Sequence, residues 1–456
     1  MLENKLFKKN LIYLVFGSTL LVHVLILTKL IYFPYPELFV YPYLTNHGLK
    51  PYSQILDQHF PGLMFLPINF DNLGMNNEVV ARIWSITILV LTQILLFYIS
   101  SKILKSKWKA LLVSFLYLIW QPFFEGWVLW IDSFLPLILL PSFYFLYKSR
   151  LFLCGLLLGI GIVFKQTIIP LTFLTFIFIF WQTRNLKVTF TFLLGLMGPV
   201  ILMILYLLSI GVIKDFWYWT IVFNLTTYAK YGTSIPPSQG FVTRVLLVYL
   251  AAVSGWFIKD RRIVRILFLF LLGSLAGIFD RANFIHFQPS LPFAVLATAL
   301  GVYQFNKNKF FKVLMLIYII TAVWWLGVFY KGHISNKIFF FDEQTKLISN
   351  KIKQYTKKED RIFVFGAPPH LYQMADRLPA GNLFVFQFPW FLKIAGGRIL
   401  ESIQKDKPAL IVTDRTVVIE DRPLTEFAED IDQYIQQNYQ VIDRVGSADI
   451  MRRKTS

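Results

Sequence analysis

Residues 151–183 read LFLCGLLLGIGIVFKQTIIPLTFLTFIFIFWQT, two apolar runs on either side of Lys165-Gln166-Thr167. Each run approaches the length of about 20 residues that a helix needs to cross a bilayer. The whole chain of 456 residues is 56% hydrophobic and 16% charged, with a mean hydropathy of +0.56, whereas soluble domains carry about 25% charged residues. This composition excludes soluble globular, disordered, collagen-like and coiled-coil proteins, and it predicts a polytopic α-helical membrane protein.

The hydropathy pattern predicts eleven membrane-spanning helices. They cover roughly residues 11–33, 83–101, 108–123, 131–147, 151–164, 169–183, 188–210, 241–258, 266–279, 287–305 and 313–330. Most basic residues before residue 332 lie at one set of span ends, and the positive-inside rule assigns those ends to the cytoplasm. The N-terminus is therefore predicted inside and the C-terminus outside, as in a multi-pass protein of the cell (inner or plasma) membrane.

The formal net charge of +19 has the same topological explanation, because a nucleic-acid partner would need a basic patch on a recognisable binding fold. We expect a membrane and a lipid as partners, and no nucleic acid. The single cysteine, Cys154, cannot form an intrachain disulfide. The six histidines form no zinc-binding pair, and neither a Walker loop nor a GxSxG motif is present.

Residues 332–456 have a balanced charge and alternate between helical and strand patterns, which predicts a small extracytoplasmic α/β domain. The predicted helices cover 342–357, the segment between the first two strands, 389–404 and 424–438. The predicted strands are 361–366, 383–388, 409–414, 440–445 and 449–453. We therefore expect two domains, 1–331 and 332–456. The long first external loop, 34–82, is predicted to form two short helices broken by Gly48 and Pro51 and ended by Pro61-Gly62.

The carboxylates before residue 332 lie almost entirely on the predicted external side; only Glu3 and Asp260 are on the other. Acidic residues contribute little to membrane orientation, so topology does not explain this bias. The simple alternative is that these carboxylates are ordinary charged residues of solvent-exposed loops. However, four ionisable residues lie at the lips of predicted spans, where such groups are costly and tend to mark sites: Asp132, Lys165, Asp280 and Arg281. We therefore favour an external polar site.

An enzyme that works outside the cytoplasm has no access to ATP or nucleotide sugars, so its donor must cross the membrane already activated. A polyprenyl-phosphate sugar meets this condition, because its tail stays among the spans while its head group reaches the external surface. Transfer of the sugar requires a carboxylate that accepts the proton of the acceptor hydroxyl. It also requires cations that stabilise the departing phosphate.

Five segments carry a resemblance to a known family. They are Pro36-Glu37 after the first span, the run from Gly48 to Gly62 (G-x-x-P-Y…H-x-P-G), Gly155 to Thr167 (a span ending K-Q-T), Arg281 to Pro292, and the strand Arg361 to Gly366. In this order and topology the chain resembles the GT-C glycosyltransferases, which include protein O-mannosyltransferases and bacterial aminoarabinose transferases. The resemblance covers most of the chain.

The resemblance implies a hexosyl or pentosyl transferase that inverts the sugar's configuration. Glu37 would be the general base, and Lys165 and Arg281 would hold the leaving phosphate. Asp132 would position donor or acceptor as a second catalytic residue. The further substrate-binding residues would be His59, His286, Glu125 and Lys50. No cofactor is certain, and a divalent cation at Asp132 is the one metal to consider.

The chain also departs from the family pattern. Many members carry Asp or Asp-Glu where this chain has a lone Glu37, and Asn283-Phe284 replaces a common Tyr-Leu. The D-x-D metal motif of oligosaccharyltransferases is absent from the external loops; Asp430-Ile-Asp432 matches it in spelling only.

Each residue also has a structural alternative. Glu37 could be a helix-start carboxylate, Asp132 the N-cap of a helix beginning at Ser133, and Lys165 a snorkelling lysine. Arg281 could pair with Asp280, and the histidines could be structural. For the whole chain, the alternatives are a transporter or flippase of lipid-linked sugars and a non-catalytic envelope scaffold. The sugar and the acceptor (a lipid, a glycan or a protein) are open.

Overall fold

The computed structural model describes residues 2–231, 237–278 and 283–454. Contacts between residues divide the chain into two compact units. Unit 1 comprises Met1–Phe33, Ala81–Met203 and Ile235–Lys337, and unit 2 comprises Pro34–Val80, Ile204–Ser234 and Ile338–Ser456. The first external loop thus packs with the C-terminal residues in unit 2. The functional domains 1–331 and 332–456 stay a prediction.

A helix lies at each of the eleven predicted spans. The helices are Leu2–Lys29, Glu78–Ile103, Lys107–Phe123, Ile131–Tyr147, Leu151–Phe164, Ile169–Thr183, Leu186–Ser209, Gln239–Val253, Arg261–Gly273, Leu291–Phe305 and Lys309–His333. Within the described residues, six helical stretches are long and apolar enough to cross a membrane. The prediction of a multi-pass helical chain is thereby supported, while the number of crossings and the orientation stay predictions.

Polar caps explain where several of these apolar helices begin. Each capping side chain accepts a hydrogen bond from a backbone N–H two or three residues further on, which satisfies a donor that has no partner inside the helix. Asp260, for example, accepts from the backbone N–H of Arg262 at 3.1 Å. The caps of this kind are Ser106, Ser238, Asp260 and Asn308.

Glycines bring the helices Leu151–Phe164 and Leu186–Ser209 into close contact. A Cβ atom added to Gly155 would lie 2.1 Å from the carbonyl oxygen of Phe192, and one added to Gly195 would lie 2.1 Å from that of Phe152. Small residues of this kind let two helix backbones approach each other in a membrane protein. Gly155 and Gly195 are therefore positions where the two helix backbones pack closely.

Unit 2 contains a five-stranded mixed sheet whose central strands are Arg361–Phe365 and Leu410–Thr413, which run parallel. The sheet order is Tyr439–Val445, Ala448–Arg453, Leu410–Thr413, Arg361–Phe365, Leu378–Pro379. The helices of this part are Glu343–Tyr355, Leu371–Ala375, Pro389–Asp406, Leu424–Phe427 and Glu429–Asn438. The central strands are apolar and buried, as expected for parallel strands covered by helices. The C-terminal sheet predicted from the sequence is therefore present.

The prediction of two short helices in the first external loop is wrong for the second one. The first helix is present as Glu37–Asn46. Beyond Gly48 the chain turns through Tyr52, whose φ of 65° lies outside the helical region. The strand Ile55–Leu56 then pairs in parallel with Phe384–Val385. Distant pairing has therefore overridden local helix propensity, and it also removes the predicted strand at 383–388 from the five-stranded sheet.

The remaining elements are short, apart from one π-helix of 11 residues. They are the helices Gly62–Phe65, Ile213–Trp217, Tyr218–Tyr228 (a π-helix) and Ala229–Tyr231, the 3₁₀ turns Gln166–Ile168, Ser254–Phe257, Ala276–Ile278, Phe284–Phe287 and Ala380–Asn382, and the strands Phe33–Pro34, Val128–Leu129, Val418–Ile419 and Arg422–Pro423.

Replacing Gly155 with alanine should lower the thermal midpoint, because the added methyl overlaps the Phe192 carbonyl and overpacking costs roughly 1–3 kcal/mol. Gly198→Ala on the facing helix is the matched control, since nothing lies within 4 Å of its added Cβ, and alanine favours a helix. Thermal denaturation in detergent, followed by tryptophan fluorescence, measures both variants. Equal midpoints for the two variants would show that the close glycine contact is absent.

Candidate functional site

Three predicted site residues of unit 1 contact one another, and we call them the Asp132 cluster: Asp132, Lys165 and His286. Lys165 Nζ donates to Asp132 Oδ2 at 2.5 Å. His286 Nδ1 lies 3.1 Å from the same oxygen and 3.2 Å from Lys165 Nζ. Asp132 and Lys165 are both buried. Since removing charges from water is costly, a pair at this depth is stable only while both partners are present.

Irregular backbone brings the three side chains together. Lys165 is extended, with φ −157° and ψ 127°, between the helix Leu151–Phe164 and the short turn that follows. The Lys165 side chain therefore projects from the residue that follows the helix, and not from a face of the helix. Its ammonium pairs with a buried carboxylate and does not reach solvent, so the snorkelling alternative is wrong. His286 lies in the single turn Phe284–Phe287.

Asp132 lies in the first turn of the helix Ile131–Tyr147. The N-cap position belongs to Trp130, and no side chain makes a capping hydrogen bond there. The alternative of Asp132 as an N-cap is therefore wrong. Its carboxylate instead faces a lysine at hydrogen-bond distance, near a helix N-terminus that also favours negative charge.

Glu125 supports the Asp132 cluster from a neighbouring segment. Its backbone is left-handed, with φ 59°, and its Oε2 accepts from the N–H of Ile285 at 2.9 Å, immediately before His286. Burial raises the pKa of Glu125, while the Ile285 N–H and the charge of Arg244 act in the opposite direction. Gln288 Nε2 makes a second hydrogen bond between these segments by donating to the Phe124 carbonyl at 2.6 Å. These contacts hold the His286 turn in place.

Arg244 is a functional candidate that sequence reasoning missed. Its guanidinium lies 4.0 Å from the ring centre of Phe284 and 4.2 Å from that of Phe123, and it donates to the Phe123 carbonyl at 2.6 Å. Within the part of the chain that the structure describes, it makes no ion pair with a carboxylate, and its buried Nε has no acceptor. The available signal was a single basic residue inside the apolar run 241–258.

A second group of residues lies in unit 2, and we call it the Glu37 cluster: Glu37, Tyr41, Asp57 and His59. Glu37 begins the helix Glu37–Asn46, and Tyr41 follows one turn later on the same face. The Tyr41 hydroxyl donates to Asp57 Oδ2 at 2.7 Å. Asp57 Oδ1 lies 2.7 Å from the backbone nitrogen of His59 and 2.9 Å from its Nδ1.

The Glu37 carboxyl has an unusual environment for an acid. Its side chain is buried, and its Oε2 has no hydrogen-bond partner among the described residues. Burial and the negative charge of Asp57 raise the pKa of Glu37 to about 7, although its own backbone N–H and His59 act in the opposite direction. A carboxylate that only stabilises a helix N-terminus would explain the position of Glu37, but it would not need to be buried. A carboxyl that titrates near neutral pH suits general-base chemistry.

The other predicted residues are not part of either cluster as described. Lys50 is exposed in a turn, where its backbone N–H donates to Gln54 Oε1 at 2.8 Å. Arg281 and Asp280 lie outside the described residues. Asp432 of the D-x-D sequence makes an ion pair with Arg415 at 2.6 Å.

A divalent cation does not fit the surroundings of Asp132. Within the described ranges, no group of three or more His, Cys, Asp or Glu side chains could hold a metal ion. At Asp132 the ammonium of Lys165 already supplies the positive charge. We therefore assign no chemical step to a metal.

Comparison with known proteins gives the fold. No family model matches the sequence, and no curated protein is significantly similar to it. The structure resembles ArnT from Cupriavidus metallidurans bound to undecaprenyl phosphate, with a TM-score of 0.64 and 13% identity over 98% of both chains. It also resembles the archaeal oligosaccharyltransferase AglB from Archaeoglobus fulgidus in complex with an inhibitory peptide and a dolichol-phosphate, with a TM-score of 0.55 and 12% identity over 98% of this chain and 75% of that one. Both are GT-C membrane glycosyltransferases, so the predicted resemblance is confirmed at the level of the fold.

Asp132→Asn should destabilise unit 1 by about 3–5 kcal/mol, because it leaves the buried Lys165 ammonium without its carboxylate. The double variant Asp132→Asn with Lys165→Met removes both charges and should melt closer to the wild type. Glu426→Gln is the control, since it breaks an exposed pair with Arg422 and should change stability by less than about 1 kcal/mol. Thermal unfolding of the purified variants measures the coupling. A double variant whose loss equals the sum of the single losses would contradict the buried pair.

Proposed function

We propose that this protein is a glycosyltransferase that moves one sugar from a polyprenyl-phosphate donor to an acceptor at the extracytoplasmic membrane face. The observation that carries the proposal is the fold, which the chain shares over 98% of its length with ArnT bound to undecaprenyl phosphate. The chain would cross the membrane eleven times with its N-terminus in the cytoplasm. Residues 332–456 would form an extracytoplasmic domain that recognises the acceptor, whose chemical class is open.

Glu37 is the proposed general base. Its carboxylate would take the proton of the acceptor hydroxyl while that oxygen bonds to the anomeric carbon of the sugar. The bond from this carbon to the phosphate oxygen breaks on the opposite face, and its electron pair leaves with the phosphate. The sugar is therefore inverted, and the proton resides on Glu37 until water removes it. The buried Oε2 of Glu37 supports this role, because it is an acceptor that has no hydrogen-bond partner among the described residues.

The cations Lys165 and Arg281 are the proposed ligands of the leaving phosphate, and we add Arg244. A phosphate that binds Lys165 must compete with Asp132, which lies 2.5 Å from the ammonium. Arg244 makes no ion pair with a carboxylate among the described residues, although the charge of Glu125 acts on it. A guanidinium can donate two parallel hydrogen bonds to a phosphate. Asp132 would hold Lys165 in place, and His286 would donate a hydrogen bond to the donor.

The other assignments rest on the resemblance and on individual contacts. His59 would bind substrate beside the base, Glu125 would fix the His286 turn, and Lys50 would contact the phosphate or the acceptor. The proposed partners are thus a polyprenyl-phosphate sugar, an acceptor and the membrane.

Glu37→Gln should lower kcat by roughly 10²–10⁴-fold, because general-base catalysis typically contributes that much. Binding of the donor should stay close to that of the wild type. Glu343→Gln is the matched control: this residue also begins a helix, but its side chain is 89% exposed. The measurement is single-turnover release of polyprenyl phosphate beside donor binding.

In the same assay the wild-type kcat/KM should rise with pH through about 7, because the base acts only when ionised and the pKa of Glu37 is about 7. Full turnover in Glu37→Gln, or a rate that is flat across this range, would remove Glu37 from the mechanism.

Arg244→Met should weaken binding of polyprenyl phosphate by about tenfold or more, since a hydrogen bond to a charged group contributes roughly 1.5–3 kcal/mol. Arg244→Lys should recover part of the loss, because it keeps the charge but not the two-pronged geometry. Arg262→Met is the control, as that guanidinium bonds only to the Tyr147 carbonyl and the Ser149 hydroxyl in the described structure. Native mass spectrometry with added lipid phosphate measures the binding. Unchanged affinity in Arg244→Met would exclude this residue as a phosphate ligand.

A further inference from the structure

The Glu37 cluster contains two buried carboxylates with opposite surroundings. Asp57 is 2% exposed, and three donors converge on its two oxygens: the Tyr41 hydroxyl, the His59 N–H and the His59 ring. Glu37 is also buried, but its Oε2 has no partner among the described residues. Since both acids belong to one unit and interact electrostatically, this difference decides which of them carries a proton.

The donors around Asp57 come from separate segments, so the arrangement is built by the fold. Tyr41 reaches Asp57 from the helix Glu37–Asn46, on the face that also carries Glu37. Tyr52 donates to the carbonyl oxygen of His59 at 2.9 Å and fixes the backbone that carries the ring. Burial of such a fully satisfied network holds its members in one geometry.

The contact between Asp57 and His59 also sets the imidazole tautomer. A carboxylate can only accept hydrogen bonds, so the His59 nitrogen that lies 2.9 Å from Asp57 Oδ1 must carry a hydrogen. Nδ1 therefore carries a hydrogen in both the neutral and the charged ring, and Nε2 is the atom that gains or loses the second proton. An acid that orients a histidine in this way acts through the histidine and does not need to touch substrate.

Elementary electrostatics assigns the charges. Hydrogen bonds donated to a carboxylate favour its ionised form, and a like charge nearby disfavours ionisation of the second carboxyl. When two carboxyl groups lie in different surroundings, their pKa values differ, so that one stays ionised while the other exchanges a proton.

We propose that Asp57 is a positioning residue: its carboxylate keeps the negative charge of the pair, holds His59 through Nδ1–H, and leaves Glu37 as the carboxyl that exchanges the proton. The inference rests on the proposed function for the identity of the reaction. In that reaction the acceptor proton passes to Glu37 and then to water. Asp57 stays ionised throughout, and Tyr41 keeps its hydroxyl proton.

The charged and titratable groups that act on Glu37 have opposite effects. Asp57 raises the pKa of Glu37, and His59 lowers it. Tyr41 stays neutral, because burial and the two carboxylates raise its pKa well above the usual value. Removing the charge of Asp57 should therefore lower the titration midpoint of Glu37, and removing the imidazole of His59 should raise it.

These opposite directions separate positioning from simple structural support. If a substitution only loosened the cluster, water would reach Glu37 and its midpoint would fall in every variant, because burial is the largest cause of its raised pKa. The midpoint of Glu37 falls in Asp57→Asn and rises in His59→Gln only if the charges of Asp57 and His59 act directly on Glu37.

The experiment is an infrared difference titration of the full-length protein in lipid nanodiscs, which follows the absorption of buried carboxylic acid groups without substrate. The variants are wild type, Glu37→Gln, Asp57→Asn and His59→Gln. We expect a band that titrates near pH 7 in wild type and is missing in Glu37→Gln. Its midpoint should fall by roughly one unit in Asp57→Asn and rise in His59→Gln.

A band that survives in Glu37→Gln but is lost in Asp57→Asn would reverse the assignment, and midpoints that fall in both Asp57→Asn and His59→Gln would overturn the proposal. If Asp57→Asn does not fold, the His59→Gln variant alone tests the proposal, because the Glu37 midpoint should still rise in it. This variant keeps the backbone N–H of residue 59 that donates to Asp57.

The kcat/KM profile of the same variants with a lipid-phosphate sugar separates this proposal from the proposed function. Opposite shifts in the titration without turnover by wild type would leave the charge assignment standing and make the proposed reaction wrong.

Discussion

A lysine and an aspartate that lie 2.5 Å apart inside an apolar helical unit are the contact on which the candidate site depends. Either charge alone would be prohibitively costly at that depth, so the pair holds together the segments that supply it. Those segments are a helix start at Asp132, a helix break at Lys165 and the turn at His286, and they are far apart in sequence. Glu125 and Gln288 hold the same turn from the other side. At Lys165 and His286 the backbone leaves the α-helical conformation, and both side chains contact Asp132 there.

The two clusters suit different chemical tasks. The Asp132 cluster combines a buried carboxylate and a buried ammonium, so the two charges largely cancel. Arg244 stacks on Phe284, two residues before His286, and makes no ion pair with a carboxylate among the described residues. The Glu37 cluster has two carboxylates in one buried network, which makes proton binding near neutral pH favourable at one of them. A transfer reaction with a phosphate leaving group needs both properties, a cationic environment for the phosphate and a base for the acceptor.

Much of the fold could be predicted from the sequence, because apolar runs and polar caps are local signals. Asp132 and Lys165 were recognised as lip residues and His286 as a substrate-binding candidate. Their mutual contact was not predicted, since 154 residues separate Asp132 from His286. The second helix of the first external loop was predicted wrongly, because Ile55–Leu56 pairs with a strand more than 300 residues away. Asp57 was not singled out as a site residue, since its three donors are visible only in the folded chain. Arg244 was overlooked because cation–aromatic stacking leaves no sequence pattern.

The central claim is that this protein makes a glycosidic bond from a lipid-phosphate sugar. The most direct measurement is mass spectrometry of the purified protein in sealed vesicles, supplied with a panel of polyprenyl-phosphate sugars and a crude envelope acceptor. The account predicts that one donor is consumed, that polyprenyl phosphate accumulates, and that the sugar mass appears on the acceptor. Intact donor that moves between the leaflets without a covalent product would instead identify a transporter of lipid-linked sugars. Donors that remain untouched, with the protein folded, would favour a non-catalytic scaffold.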